Sequence, residues 1–127
     1  MTLTKADDIF MTIESSRELL KASLYDYGIW KRKGYVGQLR DAGNKLLGVL
    51  EDFTSSKVGY KFNGYKDFRK TFYNLNTKIG LKQKKDLMKN IFLLHLFFYY
   101  GLIEDQTVQD VVDIYLESYK IVKRVVY

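Results

Sequence analysis

The chain of 127 residues contains no cysteine and no proline, and its one histidine is His95. Without thiols there is no disulfide framework, thiolate metal site, iron–sulfur cluster or cysteine nucleophile. A single histidine rules out H-E-x-x-H and any two-histidine metal site within one chain. No G-x-S-x-G or G-x-G-x-x-G occurs, and the segment Gly59 to Gly64 is followed by Tyr65 and Lys66 where a phosphate loop requires Lys and then Ser or Thr. No metal and no cofactor is expected. The longest apolar run, Ile91 to Ile103, is broken by His95 and Gly101 and falls short of the roughly 20 residues a spanning helix needs, so no membrane partner is expected. The first residues turn acidic at Asp7 and Asp8 where a secretory signal would be apolar, which fits a cytoplasmic protein.

Hydrophobic residues make up 46% of the chain, with 11 Tyr, 8 Phe and 1 Trp. That is enough apolar surface for one folded domain over residues 1–127 without covalent staples. Three-and-four spacing of apolar residues recurs in five stretches, and no long period-two alternation appears. The expectation is an all-α protein with about five helices, built on an up-and-down four-helix-bundle core. The first helix is expected from Thr4, with Asp7 completing a capping box, to Tyr27, with Ser15 and Glu18 as a second possible start. A turn over Gly28 to Gly34 leads into a second helix from Val36 to Phe53. Residues 54–63 read as loop, a third helix runs from Tyr65 to Ile79, a fourth from Leu81 to Tyr100, and a fifth carries the stripe from Val108 to Val126. Gly37, Gly43 and Gly48 inside the second helix each cost about 1 kcal/mol against alanine and predict a close backbone contact.

Charge is concentrated in the middle of the chain: residues 54–90 carry ten basic and two acidic groups, while the flanking thirds are neutral and slightly acidic. Lys66, Lys70 and Tyr73 share a helical face, joined by Arg69 and by Lys82, Lys84 and Lys85 at the start of the fourth helix. These seven residues are the nucleic-acid-binding candidates, the alternative being a solvated lysine face. Tyr65, Phe68 and Phe72 read as the core seam of the third helix, leaving Tyr60 and Tyr73 as the exposed aromatics. The carboxylate pairs Asp7/Asp8, Glu51/Asp52 and Glu104/Asp105 are expected at helix ends as caps. Asp110, Asp113 and Glu117 share a solvated face.

Residues Ile91 to Tyr100 are apolar on every side, so the fourth helix is either wrapped by its own chain or buried against a second copy. The second case predicts a homodimer through Ile91, Phe92, Leu96, Phe97 and Tyr100. His95, in the middle of this run, is the one side chain with an ordinary pKa near neutrality. It reads either as a partly buried, hydrogen-bonded imidazole or as an acid–base group.

Several fragments, in this order, resemble a family: Glu18 to Leu24, Lys33-Gly34-Tyr35-Val36, Asn44-Lys45-Leu46-Leu47, and His95 to Tyr99 ahead of an acidic turn and Val108. The chain is similar to the archaeal PaREP family of type one, small proteins placed with the HEPN-like helical bundles. The resemblance implies an archaeal source and a four-helix-bundle core. HEPN proteins that cut RNA pair two chains around an Arg, a polar residue and a His four to six positions on. The counterpart here is Lys89, Asn90 and His95, with lysine standing where the family has arginine. The resemblance implies that His95 would move the ribose 2′-hydroxyl proton while Lys89 and Asn90 support it. On a regular helix six residues turn about 600°, which leaves Lys89 about 120° from His95, so convergence needs a kink or a second chain. The expected function is a non-enzymatic or weakly RNA-binding interaction module, the alternative a metal-independent ribonuclease, and a third reading a module for an acidic protein partner.

Overall fold

The computed structural model describes residues 12–100 and 107–127. Among the described residues five helices follow one another: α1 (Ile13–Lys33), α2 (Val36–Val58), α3 (Tyr65–Asn74), α4 (Leu81–Tyr100) and α5 (Val108–Val126). No strand occurs among the described residues, so the protein is all-α, as the spacing predicts.

Helix boundaries follow local chemistry that the apolar stripes only approximate. Thr12 caps α1 through a reciprocal pair in which its hydroxyl accepts from the Ser15 amide and the Ser15 hydroxyl accepts from the Thr12 amide. The expected start at Thr4 and Asp7 lies outside the described residues. At the other end α1 runs through Gly28 to Lys33, and the turn shrinks to Gly34 and Tyr35. Tyr27 and Trp30 continue the buried stripe, and packing outweighs the weak helix propensity of one glycine. Gly34, at φ 73°, ends the helix with its N–H on the Trp30 carbonyl at 2.6 Å.

α2 also outlasts its expected end. Residues Thr54 and Ser55 are buried rather than looped out, and Ser56 gives its hydroxyl proton to the Phe53 carbonyl at 2.7 Å, which lets a polar run stay helical. Glu51 and Asp52 therefore sit in the body of a helix and not at its end. α3 is shorter than its stripe: Leu75 turns extended, and Ile79 reaches the core from the loop before α4.

Residues from the start of α1 (Ile13, Arg17), the end of α2 (Phe53, Lys57), the loop before α4 (Lys78) and the end of α5 (Val125, Val126) wall a single hollow. The four long helices thus alternate in direction, giving the up-and-down bundle. α2 is its axis, touching every other helix and burying Leu39, Leu46, Val49 and Leu50 completely. α1 and α2 approach closely where side chains are small. Ser23 donates to the Ala42 carbonyl at 2.7 Å, and a Cβ on Gly48 would stand 3.0 Å from the Leu19 side chain. The close neighbour at Gly48 is thus a side chain, where the glycines predict backbone. At Gly37 a Cβ would meet only the Arg40 guanidinium, at 3.7 Å.

Helix α4 is not uniformly enclosed. Leu87, Met88, Ile91, Leu94 and Phe97 are buried in the chain's own core, whereas Phe92 is 50% exposed. Of the residues expected to join two copies, Ile91 and Phe97 are thus already covered, Leu96 is half-buried and Phe92 is open. Tyr100 lies outside the residues whose surroundings are described. Among the described residues, no helix is long and apolar enough to cross a membrane.

Candidate nucleic-acid interface

The burial of Phe68 and Phe72 fixes the rotation of α3 and turns Tyr65, Arg69 and Tyr73, spaced four apart, toward α4. The α4 face opposite carries Lys85, Met88, Lys89 and Phe92. Together these seven residues line a cleft of about 260 Å³. Three cations from two helices and three aromatic rings surround it, and no carboxylate is among the lining residues. The Arg69 guanidinium lies over the Tyr65 ring, 5.7 Å from its centre. Arg69, Lys85 and Lys89 are in none of the ion pairs found among the described residues. Burial pushes the Tyr65 phenol above its ordinary range, and nearby Tyr73 and Glu51 push the same way against Arg69. Tyr65 therefore keeps its proton, and with it a donor, across the neutral range.

The cleft continues past Phe92 into a more apolar hollow of about 340 Å³ lined by Leu47, Tyr65, Ile91, Phe92 and His95. Tyr65 and Phe92 belong to both, so cations and the histidine flank one aromatic wall. His95 is exposed, which corrects the expectation of an imidazole partly buried among aromatics. Asn90 is half-buried and lines neither hollow. Because α4 is continuous from Leu81 to Tyr100, Lys89 and His95 stay about 120° apart around it. The triplet Lys89, Asn90 and His95 does not converge within one chain.

Of the seven binding candidates, the structure gathers Arg69, Tyr73 and Lys85, and adds Lys89. Lys66 and Lys82 are exposed but line no hollow with them. Lys70 faces a different groove, with Tyr60, Asp67 and Thr71, because one residue along a helix turns the side chain by about 100° away from Arg69. Lys84 is removed from the surface altogether, at 3% exposure. Its ammonium donates to the carbonyls of Leu75 and Tyr73, the latter at 3.4 Å, and lies 5.4 Å from the centre of the Phe72 ring. It closes the C-terminal end of α3 as a structural cation. Tyr65, read from the sequence as core, is 38% exposed and forms part of the cleft. The four-residue spacing of Tyr65, Arg69 and Tyr73 was the available signal for this second face of α3.

No carboxylate among the described residues lines the cleft, although Glu51 lies near enough to act on Tyr65. Glu51 and Asp52 are half-buried, and desolvation raises both above the usual carboxylate range, with Asp52 adding to the effect on Glu51. Asp110 is held in the α5 cap by the Thr107 amide at 2.7 Å, and Asp113 accepts from the Gln109 amide at 2.8 Å. The pairs Asp7/Asp8 and Glu104/Asp105 lie outside the described residues. Among the described residues, no three His, Asp or Glu side chains gather closely enough to hold a metal ion. Compared with known protein families, curated proteins and solved structures, the chain matches none.

Proposed function

We propose that the protein is a small nucleic-acid-binding module that takes a short single-stranded RNA segment in the α3–α4 cleft. The observation that carries this reading is the meeting of Arg69, Lys85 and Lys89 with Tyr65, Tyr73 and Phe92 around one opening without a lining carboxylate. Cations neutralise phosphates and release their counterions, while an exposed ring such as Phe92 offers a face to an unstacked base. Arg69 adds a planar fork that matches phosphate geometry. Fluorescence anisotropy with a labelled oligouridylate tests the idea. Replacing Arg69, Lys85 and Lys89 together by glutamine is expected to lower the slope of log K against log salt by about 2, at about 0.7 per single-strand phosphate contact. Phe92→Ala is expected to weaken binding without changing that slope. Unchanged affinity in both variants would sink the reading.

A second reading, a metal-independent ribonuclease similar to the RNA-cutting HEPN proteins, is favoured by one observation: exposed His95 shares the Tyr65–Phe92 wall with the cation cleft. Since Lys89 and His95 diverge on α4, this reading needs two copies meeting along Phe92. Light scattering then shows a dimer that Phe92→Asp converts to monomer, and RNA cleavage in chelator that disappears in His95→Ala. A monomeric wild type removes the nuclease and leaves the binding module.

A further inference from the structure

At the opposite end of α4 from His95, the last two turns of α5 place Lys120, Lys123 and Arg124 at three-and-four spacing. With Lys78, Tyr119 and Tyr127 they line an open groove of about 600 Å³. Lys78 and Tyr127 also wall the adjoining hollow, about 450 Å³, to which α1 contributes Arg17 and α2 contributes Lys57. Six cations from four separate segments thus surround one end of the bundle, and no acidic side chain lines either hollow. None of the six is in any ion pair found among the described residues.

Part of this floor is fixed. Arg17 donates to the Val126 carbonyl at 2.7 Å and lies 4.6 Å from the centre of the Tyr127 ring, while the Lys78 ammonium donates to the Tyr127 carbonyl. Lys57, Lys120, Lys123 and Arg124 remain exposed around it. The negative end of the α5 dipole accounts for cations in its final turn, namely Lys123 and Arg124. The end of α2 likewise accounts for Lys57 in its own last turn, and Lys78 meets the α5 end at the Tyr127 carbonyl, but neither helix end accounts for Lys120, a turn further back, or for the gathering of both ends and Arg17 at one place. Cations gathered with no acidic side chain among them repel one another, and a ligand with several negative charges relieves that repulsion.

We infer that this end of the bundle is a second nucleic-acid surface, one that holds a strand by its phosphodiester backbone and reads no bases. Its cations lie along open grooves rather than around a closed pocket, which suits a chain of phosphates better than one phosphate. One face of the Tyr127 ring is already covered by Arg17, so stacking contributes little. The surface is distinct from the α3–α4 cleft and does not depend on that cleft binding anything.

Two probes separate the sites: a labelled oligouridylate and an abasic deoxyribose-phosphate strand of equal length, each titrated over a range of salt. With Lys120, Lys123 and Arg124 replaced by glutamine, the abasic strand is expected to bind at least tenfold more weakly, with the salt slope lower by about 2. The cleft variant lacking Arg69, Lys85 and Lys89 is expected to keep the abasic strand. Lys57→Gln with Lys120→Gln, outside the final turn of α5, supplies an independent variant if the triple one melts early, and it must weaken the abasic strand too. Wild-type affinity and slope for the abasic strand in either variant overturns the inference. So does competition by oligoglutamate at equal charge, which would mark a surface for any polyanion. If the α5 variants keep both strands and only the cleft variant loses RNA, the cleft reading stands and this one falls. If only the α5 variants do, the reverse holds. A wild type that binds neither strand overturns both.

Discussion

Lys84, buried with its ammonium on the carbonyls at the end of α3, gives a sharp test when it is replaced. Lys84→Met keeps most of the side-chain volume and removes the ammonium that donates to Tyr73 and Leu75. Hydrogen bonds from a charged donor contribute about 1.5–3 kcal/mol each net, so two at the lower end give about 3 kcal/mol. Methionine avoids the cost of burying a charge, and exposed positions nearby let water reach the freed carbonyls, which returns about 1 kcal/mol. The expected loss is about 2 kcal/mol. In urea denaturation, with a slope of about 2 kcal/mol/M, the midpoint falls by about 1 M. A surface lysine of a binding face would change stability by less than about 0.5 kcal/mol. Midpoints within about 0.25 M of each other would therefore refute the reasoning. Burial lowers the Lys84 pKa from its ordinary 10.5, so between the lowered value and 10.5 the unfolded chain binds more protons than the folded one. The stability of the wild type relative to Lys84→Met must then grow as pH rises through that window, the cost of burying the charge being relieved as the amine deprotonates. A difference that shrinks instead would mean that the carbonyl bonds, not desolvation, set the titration. Because Lys84 does not reach the cleft, oligouridylate affinity of the folded variant should match the wild type.

The buried Ser23–Tyr115 pair predicts an asymmetry: Ser23 spends its proton on the Ala42 carbonyl, so Tyr115 is the donor across their 2.8 Å contact. Ser23→Ala strands that phenol and should cost about 2 kcal/mol, against about 1 kcal/mol for Tyr115→Phe, with a positive coupling energy in a double-mutant cycle by chemical denaturation. Glu51 has its pKa raised above 4.5 mainly by burial, so its ionisation opposes folding above the folded value and the penalty vanishes below 4.5. Glu51→Gln should accordingly raise Tm at pH 7, and the gain should close as pH is lowered through 4.5; a gain that persists in acid contradicts this. Gly34→Ala places a side chain at φ 73° and should cost about 1 kcal/mol, whereas Gly37→Ala, in open helix, should be stabilising by up to about 1 kcal/mol in the same assay.

Three-and-four spacing specified the all-α class and the five helices among the described residues, because it is a local property that any packing must respect. It also located α4 well and placed the start of α2 at Val36. Where it failed, distant residues decided. Gly28 did not end α1 because Tyr27 and Trp30 had a core to pack against, and Thr54 and Ser55 stayed helical because their face was buried. The basic middle third was visible as composition, but which of its cations act together depends on how α3 is rotated by Phe68 and Phe72. That rotation sends Arg69 toward Lys85 and Lys89, Lys70 to another groove and Lys84 inside. The last third looked slightly acidic as a sum, yet its three cations all lie at one end of α5. Only the alternation of helix directions brings them beside Arg17, Lys57 and Lys78. Periodicity along the chain fixes which face of a helix is apolar, while the sharing of surface between helices is set by packing that no single stretch of sequence contains.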